Sequence, residues 1–216
     1  MKFAIFDLDG TIVDSMGYWR GFGQAFLREN GYEPDEEIEQ INSVKWVEKI
    51  CELFDRKYGL SVTPDQLRAW GIEYVMGRYA NKVDFKPGAH RLLENLKSMG
   101  VKMCICSSTD RYMMEPVIKK LDLDKYFIFT QHCRRFGKEK DHPDIFFDCM
   151  QRLGAQSPRE VAVFEDALYS ASTAKKAGFY LVGMYDKTEK NTDSLKEIAD
   201  QYVTDYSRLD YERLPE

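Results

Sequence analysis

Short apolar runs alternate with longer amphipathic stretches through most of this sequence. Runs of strand length, each bounded by polar or turn residues, fall at 3–6, 101–106, 127–129, 161–164 and 180–184. Stretches of helix length lie between the later runs, at 89–99, 111–121, 143–153 and 168–177. Because strands that alternate with helices form parallel sheets with the helices packed on their faces, the pattern predicts an α/β fold. We expect a Rossmann-like, mostly parallel sheet flanked by helices.

One segment, 15–83, does not follow this alternation. Its apolar residues recur at helical spacing instead, as at Val47, Ile50 and Phe54. Glycine and proline residues separate the helical stretches. The segment therefore predicts a small all-helical domain inserted into the α/β fold. On this interpretation, residues 1–14 and 84–216 form the core domain and residues 15–83 form a helical cap domain.

The composition is that of a globular protein and gives no electrostatic reason to bind nucleic acid or a membrane surface. Hydrophobic residues make up 44% of the 216 residues, and 31 Lys and Arg against 36 Asp and Glu leave a net charge of −5. Binding to polyanions would need a basic surplus. The first residues lack the apolar length of a signal peptide or a membrane span, and the cysteines lack disulfide or zinc spacing. We expect a reduced, cytoplasmic protein with neither nucleic acid nor membrane as partner; its oligomeric state is left open.

Two carboxylates follow the first apolar run directly. Asp7 and Asp9 stand at i and i+2 at the end of this strand, where open α/β sheets place their ligand sites. Two like charges so close together are unfavourable unless a cation neutralises them, and Mg²⁺ prefers carboxylate and carbonyl oxygens. A calcium loop of the EF-hand kind needs glycine sixth and glutamate twelfth, whereas Gly10 is fourth and Tyr18 is twelfth. The pair therefore predicts a magnesium site.

Three further polar features fit the same edge of the sheet. Ser107 and Ser108 follow the run at 101–106, Lys140 precedes a predicted helix, and Glu165 and Asp166 follow the run at 161–164. Hydroxyls beside a helix N-terminus favour an anion, and a second acidic pair is suited to a metal. Taken singly, each feature has a simpler explanation: a polar turn, a solvated lysine or a helix cap.

In this order, these residues resemble the motifs of the haloacid dehalogenase superfamily of phosphohydrolases, in its capped phosphoglycolate phosphatase and beta-phosphoglucomutase-like subfamily. The first motif of that family, DxDGT, corresponds to Asp7, Asp9, Gly10 and Thr11. The later motifs correspond to Ser107, Lys140, Glu165 and Asp166. The resemblance spans nearly the whole chain.

Some positions depart from the family pattern. Asp141 stands where the first proline of the lysine motif is usual, and Ala167 and Ser170 replace the small residues that follow the acidic pair. Lys138 would match the lysine motif only with a two-residue insertion, so Lys140 is the favoured match.

The resemblance implies a Mg²⁺-dependent phosphatase that hydrolyses a small phosphorylated metabolite through an aspartyl-phosphate. Asp7 would be the nucleophile and Asp9 the general acid and base. Mg²⁺ would be held by Asp7, by Asp166 and by Asp9 through its main-chain carbonyl, with Glu165 beside it or bound directly. The phosphoryl oxygens would be held by Thr11, Ser107, Ser108 and Lys140.

The cap would select the substrate, because the core motifs recognise only the phosphate. Ser43 and Lys45 lie in a predicted turn between cap helices, and Trp19 lies at the start of the cap; these three residues are candidate specificity contacts. Mutases of the family carry a histidine at the position of Trp19, so the tryptophan favours a hydrolase. A sugar-phosphate mutase of the beta-phosphoglucomutase type and a non-catalytic binding protein on the same scaffold remain the alternatives.

Overall fold

The computed structural model describes residues 1–41 and 46–216, apart from the side chains at positions 39, 40, 46, 134 and 135. Two of the candidate specificity residues, Ser43 and Lys45, lie outside the described residues. Among the described helices, none combines the length and the apolar character needed to cross a membrane.

The core of the protein is a six-stranded, fully parallel sheet with the strand order β3-β2-β1-β4-β5-β6. Its strands are β1 Phe3–Phe6, β2 Lys102–Ser107, β3 Phe127–His132, β4 Val161–Glu165, β5 Tyr180–Met184 and β6 Gln201–Val203. The described helices are α1 Met16–Glu29, α2 Glu37–Gln40, α3 Trp46–Tyr58, α4 Pro64–Asn81, α5 Ala89–Ser98, α6 Arg111–Lys120, α7 Cys133–Phe136, α8 Asp144–Leu153, α9 Leu168–Lys176 and α10 Thr192–Ile198. The α/β class with a parallel sheet is confirmed.

The central strand β1 is apolar throughout because helices cover both faces of the sheet. Ala4 and Phe6 face a hydrophobic cluster that includes residues of α5 and α6. Ile5, between them, faces a second cluster that includes residues of α8. Phe6 also stacks on Phe164 of β4, with ring centroids 4.1 Å apart. These contacts hold the ends of β1 and β4 level with each other.

Between β1 and β2 the described chain is helical, and its helices enclose a hydrophobic cluster of their own. Phe22 and Leu27 of α1 and Phe54 of α3 are buried in it. The end of α4 does not belong to this cluster: Val75 and Tyr79 pack into the cluster of the sheet. The helical character predicted for this part of the chain agrees with the structure, whereas its division from the core at 15–83 stays a prediction.

A buried ion pair joins this helical segment to the far side of the sheet. Lys86 follows α4 and donates from Nζ to Asp186 Oδ2 at 3.0 Å, and both side chains are almost fully buried. Asp186 follows β5, and its other oxygen accepts from the main-chain N–H of Thr188 at 2.8 Å. The pair therefore fixes the loop after β5 against the chain that leaves α4.

Replacing Lys86 by methionine tests this link. Lys86→Met leaves the Asp186 charge buried without its partner, and we expect the free energy of unfolding to fall by about 3–5 kcal/mol, measured by urea denaturation. The control is Lys119→Met, which removes an exposed helical pair with Glu115 and should cost no more than about 0.5 kcal/mol. Equal small losses in the two variants would show that the buried pair does not hold the loop.

Candidate active site

A cavity of about 580 Å³ lies at the carboxyl ends of the three central strands. Asp7 follows β1, Ser107 ends β2, and Glu165 ends β4. Because β1 pairs with both β2 and β4 in parallel, these side chains reach the same edge of the sheet. The main-chain N–H of Asp7 donates to Phe164 O at 3.0 Å, which holds Asp7 level with Glu165. The predicted convergence of the motifs at one edge is therefore observed.

Lys140 reaches this cavity from the loop between α7 and α8. Its Nζ donates to Asp7 Oδ1 at 2.6 Å, to Cys106 O at 3.3 Å and to the carboxylate of Glu165. Burial acts to lower the pKa of Lys140, but the charges of Asp7 and Glu165 outweigh it and the pKa lies well above its ordinary value. Lys138 is half-exposed and pairs with Asp144 instead. The structure thus brings Lys140, and not Lys138, into the site.

Three buried carboxylates, those of Asp7, Glu165 and Asp166, bring oxygen atoms within 4.8 Å of one another. Burial raises the pKa of Asp7 from 3.8 to about 7, and Glu165 and Asp9 add to the shift while Lys140 opposes it. Burial also raises the pKa of Asp166 well above its usual range, with further contributions from Asp7 and Glu165. A divalent cation would offset this repulsion, and a set of carboxylate oxygens is what Mg²⁺ prefers. The donor set therefore fits a metal site.

The hydrogen bonds distinguish the members of this cluster. Glu165 Oε1 accepts from both Lys140 and Ser170, so this oxygen is already engaged. Asp7 accepts a hydrogen bond from Lys140 at one oxygen, Oδ1. Asp166 accepts one from Thr11 at its Oδ1, at 3.1 Å. Asp7 and Asp166 are accordingly better placed than Glu165 to bind a cation directly.

Gly10 is required for Asp166 to reach this position. Its backbone has a φ of +83°, in the left-handed region that favours glycine. A Cβ atom on residue 10 would lie 2.2 Å from Asp166 Oδ2. The glycine of the first motif therefore allows the turn after Asp9 to pass against the second acidic strand end.

The second carboxylate of the first motif, Asp9, is held by a separate set of donors. Ser15 Oγ at 2.6 Å, Trp19 Nε1 at 3.3 Å and the Tyr79 hydroxyl donate to its Oδ1, and Thr109 Oγ1 donates to its Oδ2 at 2.8 Å. Trp19 and Tyr79 come from α1 and α4, so the helical segment contacts the site through Asp9. The side chain of Asp9 is not part of the three-carboxylate cluster.

Tyr79 is a site residue that sequence reasoning missed. The helical spacing of Ile72, Val75, Met76 and Tyr79 predicts only that Tyr79 belongs to the apolar face of a helix. A tyrosine on such a face is the available signal, because a buried hydroxyl needs a hydrogen-bond partner. Burial raises the pKa of Tyr79 well above its usual range, and the charge of Asp9 acts in the same direction, so the hydroxyl stays protonated and donates.

The other predicted phosphate-binding residues take different positions. Ser107 and Ser108 line the cavity. Ser107 Oγ accepts from the main-chain N–H of Thr109 at 3.0 Å, and Ser108 Oγ lies 3.2 Å from the hydroxyl of Tyr169, a cavity residue that was not predicted. Thr11 is fully buried and donates to Asp166, and it does not line the cavity.

Comparisons with known proteins agree with these motifs. The family model described as haloacid dehalogenase-like hydrolase matches residues 1–178. A phosphoglycolate phosphatase from Pseudomonas syringae pv. syringae (strain B728a) is 27% identical over 191 residues, which are 85% of this chain and 69% of the relative. A beta-phosphoglucomutase from Bacillus subtilis (strain 168) is 28% identical over 194 residues, 85% of this chain and 83% of the relative.

Solved structures share the fold at lower identity. CbbY from Rhodobacter sphaeroides, crystallised with phosphate, superposes with a TM-score of 0.77 at 18% identity, with 99% of each chain covered. A beta-phosphoglucomutase from Clostridium difficile superposes with a TM-score of 0.71 at 24% identity. The superposition covers 98% of this chain and 94% of the mutase chain.

The carboxylate cluster predicts a pH-dependent response to divalent cations. Because a cation binds ionised carboxylates and the pKa of Asp7 is raised to about 7, we expect added Mg²⁺ to raise the melting temperature more at pH 8 than at pH 5.5. Asp166→Asn should remove most of the increment, whereas Asp148→Asn on the surface of α8 should leave it unchanged. An increment that is equal at both pH values, or that survives Asp166→Asn, would place the cation elsewhere.

Proposed function

Because this chain belongs to the haloacid dehalogenase-like hydrolases, we propose that it is a Mg²⁺-dependent phosphatase that hydrolyses a small phosphorylated metabolite, with Asp7 as the nucleophile. The observation that carries the proposal is the contact of Lys140 Nζ with Asp7 Oδ1 at 2.6 Å, beside the buried carboxylates of Glu165 and Asp166. A buried carboxylate that lines the cavity is thus paired with an ammonium group, and together with its neighbours it can hold a metal.

The metal would be held by Asp7 and Asp166, with the main-chain carbonyl of Asp9 as a further oxygen and Glu165 next to them. When bound, it supplies positive charge for the phosphoryl oxygens. Lys140 supplies a second positive charge, and its raised pKa keeps it protonated. Ser107 and Ser108 line the same cavity and can donate hydrogen bonds to a phosphoryl group.

Phosphoryl transfer then takes two steps. In the first, a carboxylate oxygen of Asp7 bonds to phosphorus, the bond from phosphorus to the ester oxygen breaks, and Asp9 gives its proton to the departing oxygen. In the second, water attacks the aspartyl-phosphate, Asp9 takes the proton of the water, and the bond from phosphorus to Asp7 breaks. Lys140 opposes the effect of burial on the pKa of Asp7 and so favours the ionised nucleophile.

Trp19 favours hydrolysis over a sugar-phosphate mutase reaction. Its indole nitrogen donates to Asp9 at 3.3 Å and to the Tyr79 hydroxyl at 2.8 Å. An indole N–H can donate a hydrogen bond but cannot accept a proton, unlike the histidine that mutases of the family carry at this position. The contacts of Trp19 position Asp9 without offering a second proton acceptor.

The segment 15–83 acts in this proposal as a cap that closes over the cavity and selects the substrate. Its contacts to Asp9 through Trp19 and Tyr79 link closure to the position of the acid and base. Ser43 and Lys45, which lie outside the described residues, are proposed contacts to the leaving group. The cysteines, all free and buried, suit a reduced cytoplasmic setting, which we also propose.

Asp7→Asn tests the nucleophile. The amide keeps the shape of the side chain but cannot attack phosphorus, so we expect Mg²⁺-dependent release of inorganic phosphate from an aryl phosphate to fall by at least about 10³-fold. The control is Asp14→Asn, an exposed position of the same segment, which should retain full activity. Turnover of Asp7→Asn near that of the unmodified protein would exclude this mechanism.

Tyr79→Phe tests the positioning of Asp9. The ring stays in the core but Asp9 loses a donor, so we expect kcat for an alkyl phosphate, whose leaving oxygen needs a proton, to fall about tenfold. Hydrolysis of an aryl phosphate with a good leaving group depends less on the acid, so kcat for that substrate should fall much less. Tyr74→Phe, in the same helix, is the matched control. Equal losses on both substrates would indicate a general structural effect and not a role through Asp9.

A further inference from the structure

A second cavity, of about 680 Å³, adjoins the catalytic cavity. Arg20 and Tyr169 line both cavities and form the boundary between them. The helical segment supplies one wall of the second cavity, and the loop after β5 with the first residues of α9 supplies the other. Asp7, Asp9 and Lys140 do not line it. It is therefore a separate space beside the proposed site of phosphoryl transfer.

One face of α1 is open towards this cavity. Gly17, Arg20, Gly21 and Gln24 line it and stand at i, i+3, i+4 and i+7, which is a single helical face. A Cβ atom at Gly21 would have only Gln24 Oε1 near it, at 3.9 Å, and one at Gly17 would lie 4.0 Å from Lys187 Cε. The two glycines leave room, and Arg20 between them carries a positive charge.

The opposite wall is built by a loop whose carboxylates are already engaged. Asp186 is paired with Lys86 in the buried ion pair described above. Glu189 accepts from the main-chain N–H of Leu168 at 3.2 Å and from that of Asn191 at 2.7 Å. These contacts hold the loop in place; Lys86 neutralises Asp186, whereas Glu189 is held by main-chain N–H groups and keeps its charge.

The three cations of the second cavity, in contrast, are exposed and pair with none of the described side chains. Arg20, Lys187 and Lys190 line it, and within the described parts of the chain their side chains make no ion pair or hydrogen bond. Glu189 is the one carboxylate among the described lining residues. The catalytic cavity has the opposite balance, with six carboxylates and two cations in its described lining. A ligand that extends through both would meet an acidic, metal-binding end and a basic end.

We propose that the second cavity binds an anionic group at the far end of the leaving group, so that the preferred substrate is an elongated phosphate ester with a second phosphoryl or carboxylate group. This inference rests on the proposed function, because it requires the reacting phosphoryl group to lie at Asp7. Arg20, at the boundary, and Lys187, opposite Gly17, hold the second anion by charge-assisted hydrogen bonds. A leaving group that carried only hydroxyls would gain no ionic contact from these exposed cations.

The test compares three esters of straight-chain compounds over a series of chain lengths. One is a diol monophosphate with a hydroxyl at its far end, one is the corresponding bisphosphate, and one carries a phosphate and a carboxylate. The measured quantity is kcat/KM of each doubly charged ester divided by that of the hydroxyl-ended ester. We expect this ratio to be about tenfold or more at the best length, and to fall by about tenfold in the double variant Arg20→Gln, Lys187→Gln.

A steric variant tests the same site without removing charge. Gly21→Leu places a side chain in the second cavity, and leucine is a good helix former, so α1 is not weakened. We expect kcat/KM of the long doubly charged esters to fall relative to that of ethyl phosphate, which is too short to reach this cavity. Arg28→Gln, on the same helix but outside both cavities, is the control and should leave every ratio unchanged.

The possible outcomes separate the inference from the proposed function. A preference for the bisphosphate over the phosphate–carboxylate identifies the second anion as phosphoryl, and the reverse preference identifies it as carboxylate. Ratios that are the same in the unmodified protein and the double variant at every chain length overturn the inference. If the unmodified protein releases phosphate from an aryl phosphate but hydrolyses none of these esters, the inference alone fails; if it releases phosphate from neither, the proposed function itself fails.

Discussion

Repulsion among three buried carboxylates determines what the cavity at the ends of the central strands can bind. Asp7, Glu165 and Asp166 are held within 4.8 Å of one another at the ends of neighbouring strands, where burial raises the pKa of Asp7 and of Asp166. Lys140 and Thr11 offset part of this cost by donating to the cluster. The remaining negative charge makes the site a place for a divalent cation, and a cation there can in turn attract a phosphoryl group.

The sheet and the helical segment hold different parts of this arrangement. The strand order β2-β1-β4 brings together residues that are far apart in the sequence, and the left-handed turn at Gly10 lets the acidic strand ends approach. The side chain of Asp9 lines the same cavity but is not part of the cluster, and it is held by α1 and α4 through Trp19 and Tyr79. In the proposed reaction the core thus positions the nucleophile, and the cap positions the acid and base.

The sequence predicted those features that depend on local pattern. The strands at 3–6 and 180–184 agree with the structure to the residue, because burial on both faces produces continuous apolar runs. The edge strand β6 has only three residues, too few for a periodic signal, and was not predicted. Contacts such as Tyr79 to Asp9 join residues 70 positions apart, and their partners depend on how α4 packs on the sheet. Helical spacing can place Tyr79 on a buried face but cannot identify its partner.

In the proposed reaction, Asp7 carries the phosphoryl group during turnover. The most direct measurement uses the Asp9→Asn variant, which should slow hydrolysis of the intermediate more than its formation from an aryl phosphate with a good leaving group. The reaction is quenched in acid within one turnover, and the digested protein is analysed by mass spectrometry. The account predicts a phosphoryl group on Asp7. Release of the aryl alcohol with no phosphoryl group on the protein, or with the group on another residue, would contradict it.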